Sequence, residues 1–161
     1  MIALYLDYDG VLHPECVYRH PKHGIYLAGK YAGHTLFEHC GLLADALDPY
    51  PEVRIVLSTS WVRVLGYSRA LGHLNDRLRR RVVGATFHSE RMSKENFAQL
   101  SRGQQVVADV GRRRPTDWLA LDDDDEGWPA DHRAKLLKTD RVYGIATALP
   151  ELRSRLAGLV Q

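Results

Sequence analysis

The first dozen residues constrain the fold more than any other stretch. Ile2-Ala3-Leu4-Tyr5-Leu6 is an unbroken apolar run, and it stops at Asp7-Tyr8-Asp9-Gly10-Val11-Leu12. A short run without polar alternation reads as a strand buried on both faces, the kind a parallel sheet contains. Two carboxylates one residue apart at its end lose hydration and repel each other unless a cation or a proton lies between them. Oxygen donors so placed suit Mg²⁺ binding, or acid–base and nucleophilic work. An acidic turn after the strand would look the same in isolation, since Asp and Gly are ordinary turn residues.

Recurrence separates the two. Val53-Arg54-Ile55-Val56-Leu57 runs into Ser58-Thr59-Ser60-Trp61, and Trp118-Leu119-Ala120-Leu121 runs into the five acids Asp122 to Glu126. Three buried strands therefore switch from apolar to acid or hydroxyl at their carboxyl ends. In open α/β sheets that edge is where ligands bind. Hydroxyls and free amides there can cradle phosphate oxygens, although a Ser/Thr helix cap uses the same residues. One or two of the five acids are expected to share a cleft with Asp7, with the others facing water.

Strands are expected at 2–6, 53–57, 82–87, 118–121 and 141–146. Amphipathic helices are expected between them. One is built on Leu36, Phe37, Cys40, Leu43, Ala44 and Leu47, with Thr35 and Glu38 at capping-box spacing and Asp48-Pro49 as its stop. Others are expected at 66–80, 92–100, 103–113 and 150–159. This alternation predicts an α/β three-layer fold on a parallel five-stranded sheet. The 161 residues suit one domain, 1–161, with a substantial core. Residues 13–34, rich in Gly, His, Tyr and Pro, break the alternation and read as a small lid. A hairpin is expected there, with arms at Tyr18 and Ile25-Tyr26-Leu27 and a turn at 21–24.

Composition excludes several classes. No apolar run approaches membrane-span length, and no basic-then-apolar leader precedes the first strand. Cys16 and Cys40 make no disulfide framework, so a reducing cytoplasm is the expected setting. The formal net charge of +2 does not by itself call for a polyanionic partner.

Taken together, these segments resemble the haloacid dehalogenase-like (HAD) hydrolase superfamily over nearly the whole chain. Its first motif resembles Asp7-Tyr8-Asp9-Gly10-Val11-Leu12, its second Ser58, and its fourth Asp122-Asp123. The DxDGVLHP opening, the Leu-Ser-Thr-Ser-Trp segment and the Leu-Asp-Asp ending are also similar to the phosphatase-like domain of composite RNA-repair proteins. The resemblance implies a Rossmann-like sheet of strand order 3-2-1-4-5. For the family's basic third-motif residue, position favours Arg102 and side-chain identity favours Lys94; Arg102 is preferred. An arginine offers a two-pronged donor to phosphoryl oxygens.

The implied chemistry is Mg²⁺-dependent hydrolysis of a phosphomonoester. Asp7, the Asp9 carbonyl, Asp122 and Asp123 would hold Mg²⁺. Asp7 would be the nucleophile and Asp9 the general acid, then base. Ser58, Thr59 and Arg102 would bind the phosphoryl group. Without room for a large cap, bulky substrates such as nucleic acid ends are expected. Trp61, Tyr26 and Tyr31 are candidates for stacking on bases, Arg63 for a backbone phosphate, and His13 for a substrate contact. The runs Arg77, Arg79, Arg80, Arg81 and Arg112, Arg113, Arg114 are either a basic surface or solvated helix ends. His13, Cys16, His20 and His23 are close enough in sequence to consider zinc, though their spacing fits no zinc signature. The alternative to an enzyme is a regulatory module that binds metal and phosphate with little turnover. The acid at position 9 argues for the enzyme.

Overall fold

The computed structural model describes residues 1–161. Strand β1 (Ile2–Leu6) leads into an antiparallel hairpin of β2 (Val17–His20) and β3 (Gly24–Leu27). There follow α1 (Cys40–Leu47), β4 (Val53–Leu57), α2 (Ser60–Leu65), α3 (Tyr67–Gly72), α4 (Asp76–Arg79) and β5 (Val82–Ala85). The chain ends with α5 (Lys94–Gln99), α6 (Arg102–Arg113), β6 (Asp117–Asp122), β7 (Leu136–Lys138) and α7 (Leu149–Leu159). The main sheet is parallel, in the order β5-β4-β1-β6-β7. Counting only its own strands, that is the expected order 3-2-1-4-5.

Register decides where the chemistry sits. Leu6 of β1 lies opposite Leu57 of β4 and Leu121 of β6. The next residues are Asp7, Ser58 and Asp122, so three strands deliver polar side chains to one level of their carboxyl edge. The central strand is fully buried because both faces are covered. Leu4 and Leu6 join Leu43 and Leu47 of α1 and Leu152 and Leu156 of α7 in the larger core. Ala3 and Tyr5 face Val106 of α6 with Trp118 and Trp128 in a smaller one. Each fully buried leucine contributes about 1.5–3 kcal/mol of transfer free energy, so the floor under the polar edge is rigid.

The structure corrects several sequence expectations. Residues 141–146 are not the fifth strand; that strand is Leu136–Lys138. The later segment is a turn in which Asp140 Oδ1 accepts from the amides of Val142 and Tyr143, and Ile145 is buried with its amide on the Val11 carbonyl. Its apolar residues dock on the loop after β1 rather than extend the sheet. The helix expected at 66–80 is two short ones, because Asn75 caps a new start by accepting from the Leu78 amide. The first helix begins at Cys40, since Phe37 takes a positive φ of 59°. Glu38 still accepts from the Thr35 amide, so half of the capping box forms without a helix behind it. Arg81 is no solvated helix end: its guanidinium donates to the carbonyls of Leu47, Tyr50 and Val53 and ties the α1–β4 turn to β5. No helix is long and apolar enough to cross a membrane.

Candidate active site

The cleft forms where β1, β4 and β6 end. Asp7 and Asp122 lie on neighbouring strands, and Asp123 follows at once; all three are buried. One oxygen from each lies within 4.8 Å of the others, and no other group of three or more His, Cys, Asp or Glu side chains is close enough to share an ion. Burial raises the pKa of Asp7 against the pull of Arg102, and Asp9 pushes it up further. Burial, then the Asp7 charge, raises Asp122 well above the carboxylate range, and the same two causes push Asp123 up to about 7.

One cation answers these acids from the protein side. Arg102 Nη2 is 3.6 Å from Asp7 Oδ1, and its Nε is 3.2 Å from Asp122 Oδ2. Burial would lower its pKa, but Asp7 and Asp122 hold it raised, so it stays charged. Its position follows from local sequence. Ser101 accepts from the Gln104 amide while the Gln104 side chain accepts from the Ser101 amide, a reciprocal cap that fixes the first turn of α6. Gly103 lets that turn press against the loop after β6: a Cβ there would lie 2.8 Å from both Pro129 and Trp128. Lys94, the other candidate, is exposed at the start of α5 and lines a neighbouring groove rather than the cleft.

The loop after β1 is equally fixed. The Val11 and Leu12 amides return to the Tyr8 carbonyl, and Thr139 Oγ1 donates to the Gly10 carbonyl at 2.7 Å. Gly10 has a φ of 73°, and a Cβ on it would come within 2.3 Å of Asp123 Oδ2. The glycine is what allows the Asp123 carboxyl to approach this loop.

Asp9 stands apart from the buried three. Its side chain is 31% exposed, and Oδ1 takes two donors: the Trp61 indole N–H at 2.9 Å and His13 Nε2 at 2.8 Å. The Phe37 amide donates to His13 Nδ1 at 3.1 Å, so Nδ1 is the bare nitrogen and Nε2 carries the hydrogen given to Asp9. Oδ2 has no donor. The positive φ at Phe37 that shortens α1 also aims this amide. His13 and Trp61, expected as substrate contacts, are therefore placed behind Asp9, 0% and 5% exposed. Sequence named both residues but missed this role, because the link through Phe37 spans 24 positions.

The other expectations sort as follows. Ser58 and Thr59 are almost fully buried beneath the cleft, and Thr59 Oγ1 accepts from the Trp61 amide as the cap of α2. Ser60 and Arg63 line the cleft. Beyond Asp123 the acids are less buried: Asp124 and Glu126 also line the cleft, with Asp124 Oδ1 accepting from the Glu126 amide, while Asp125 pairs with Lys138 and Arg133. Tyr18 and Tyr26 face each other across the hairpin with their rings 5.8 Å apart, and Tyr31 is buried. His20 stacks on His23 at the hairpin tip, while Cys16 Sγ accepts weakly from the Tyr31 hydroxyl, so those residues do not converge with His13.

A divalent cation fits this donor set. Asp122 Oδ2 is buried without a hydrogen bond, since Arg102 Nε is near but out of line. Three carboxylates face one arginine, and oxygen-only donors suit a hard cation.

The family model of the HAD domain in Swiss Army Knife RNA repair proteins matches residues 3–149, a span that holds every residue of the cleft. The chain is a HAD domain of that family. It is thus a hydrolase-type domain on a Rossmann-like sheet, as the motifs implied. Curated proteins and solved structures gave no match.

Proposed function

We propose that this HAD domain hydrolyses phosphomonoesters with Mg²⁺, through a phosphoryl group held transiently on Asp7. The observation that carries the reading is the double hold on Asp9. A domain that only bound metal and phosphate would have no use for a half-exposed carboxyl oriented by two buried donors, with its second oxygen turned free beside the cluster.

Bound at Asp7, Asp122, Asp123 and the Asp9 carbonyl, Mg²⁺ supplies the positive charge that lets an anionic phosphoryl group approach these acids. An Asp7 oxygen attacks phosphorus, and the bond to the leaving oxygen breaks. Asp9, protonated for this step, gives its proton to that oxygen. Water then attacks the phosphoryl group on Asp7. Asp9 takes the water's proton, and inorganic phosphate leaves with Asp7 regenerated. Arg102 neutralises the charge spread over the phosphoryl oxygens. Two neighbouring carboxyls thus take opposite parts because their surroundings differ.

The cleft, about 520 Å³, is open, and the insertions that flank it, the hairpin and the α5 segment, are both short. Phosphate-terminated nucleic acid is the substrate proposed. The name of the matched family, which places such domains in RNA repair proteins, supports it. The test is phosphate release from an aryl phosphate and from a 3′-phosphorylated oligonucleotide, with Mg²⁺ and with a chelator. Release that depends on Mg²⁺ and disappears in Asp7→Asn is expected. A folded protein that binds Mg²⁺ and releases nothing from either substrate would sink the enzyme reading and leave the regulatory one.

A further inference from the structure

A second hollow adjoins the cleft. This groove, about 710 Å³, lies between α2 with the start of α3 on one side and β5 with residues 87–94 on the other. Arg63 lines both cavities, so the groove adjoins the phosphoryl site at that residue. Arg91 and Lys94 line it further along. None of the three has an ion-pair partner, whereas most of the remaining arginines of α3 to α6 do. The other titratable groups facing the groove are Glu90, His88 and Tyr67. Three unpaired cations against one acid make a positive channel that adjoins a phosphate site.

Between the cations the lining is apolar and exposed. Val64 is 54% exposed, Val83 44% and Tyr67 38%, and they stand together along the groove. Cations alternating with exposed flat or apolar surface suit a single nucleic acid strand, whose phosphates meet the charges while its bases cover the apolar faces. An acidic peptide would use the cations and leave Tyr67 and the valines wet.

From this run of charge beside the cleft we infer that the groove binds the nucleotides leading up to the terminal phosphate, so that the substrate is single-stranded and several nucleotides long. This rests on the phosphomonoesterase reading above, and its test separates the two. Turnover of an aryl phosphate by the wild type reports on the catalytic site alone. Fluorescence anisotropy reports on the groove. Mg²⁺-loaded Asp9→Asn, slow in turnover but with the metal cluster intact, would be titrated with fluorescein-labelled, 3′-phosphorylated single strands of one, about four and about nine nucleotides.

Affinity should rise at least ~10-fold from the shortest to the longest strand, and its logarithm should fall with the logarithm of salt with a slope near ~2 for three cations. Adding Arg91→Glu and Lys94→Glu should remove that length gain; Arg91→Gln with Lys94→Gln serves if charge reversal lowers the melting temperature. Affinity independent of length would overturn the inference, as would a gain that survives in the variants. An acidic phosphopeptide that displaced the longest strand at equal charge would reassign the groove to protein.

Discussion

Helix α6 meets a buried acid–arginine group at each end, and the two are built with opposite balances. At its carboxyl end one acid, Asp109, has three donors: the Tyr5 hydroxyl at 2.8 Å, Arg113 Nε at 2.8 Å and Arg113 Nη2 at 3.3 Å. At its amino end three acids share one arginine, and Asp122 Oδ2 goes without a hydrogen bond. A buried acid with satisfied oxygens locks a helix to a sheet and does nothing more. A buried surplus of acid is a standing cost, and a cation from solution relieves it. The sign of the imbalance, rather than burial or charge alone, marks which group is the site.

The comparison breaks most sharply at the cleft. Asp7→Asn should lower turnover by at least ~10³-fold, as loss of a nucleophile does. Asp9→Asn should cost ~10²–10⁴-fold while leaving Mg²⁺ affinity near that of the wild type, since its side chain lies outside the cluster. Trp61→Phe keeps the ring in its packing but removes one of the two donors on Asp9. It should cost about tenfold in kcat with little change in KM.

The surplus of acid also has a pH signature. Burial raises Asp7, Asp122 and Asp123, the last from 3.8 to about 7, so the folded metal-free protein holds protons that the unfolded chain releases. Stability from these groups is full below about pH 4 and is lost as pH rises towards about 7. Saturating Mg²⁺ should therefore raise the melting temperature little at pH 5 and clearly at pH 8, on the order of 3 kcal/mol when it stands at a hundredfold over its dissociation constant. An equal rise at both pH values would contradict the raised carboxyls. The smallest effect belongs to the satisfied end. Tyr5→Phe should cost about 1 kcal/mol in denaturant unfolding and leave turnover untouched.

Much of this was legible in the sequence because the strands are local. Each of β1, β4 and β6 carries a largely apolar run that ends in its functional residues, so the strands and their polar edge followed from pattern, while the strand order and the Asp7–Asp122 pairing followed from the family resemblance. The fifth strand was not legible. Leu136-Leu137-Lys138 is too short to signal itself, and the apolar residues of 141–146 imitate a strand while serving to dock Ile145 under the loop after β1. The hold on Asp9 was hidden for a different reason. It joins positions 9, 13, 37 and 61 through one backbone kink, and nothing in residue order announces that Phe37 will turn its amide towards His13.

Calorimetric titration of Mg²⁺ into the wild type, Asp122→Asn and Asp109→Asn would test the contrast between the two ends of α6 most directly. Saturable binding to the wild type and to Asp109→Asn, with loss of binding in folded Asp122→Asn, is the predicted result. Binding unchanged in Asp122→Asn, or no binding to the wild type at neutral pH, would contradict the account.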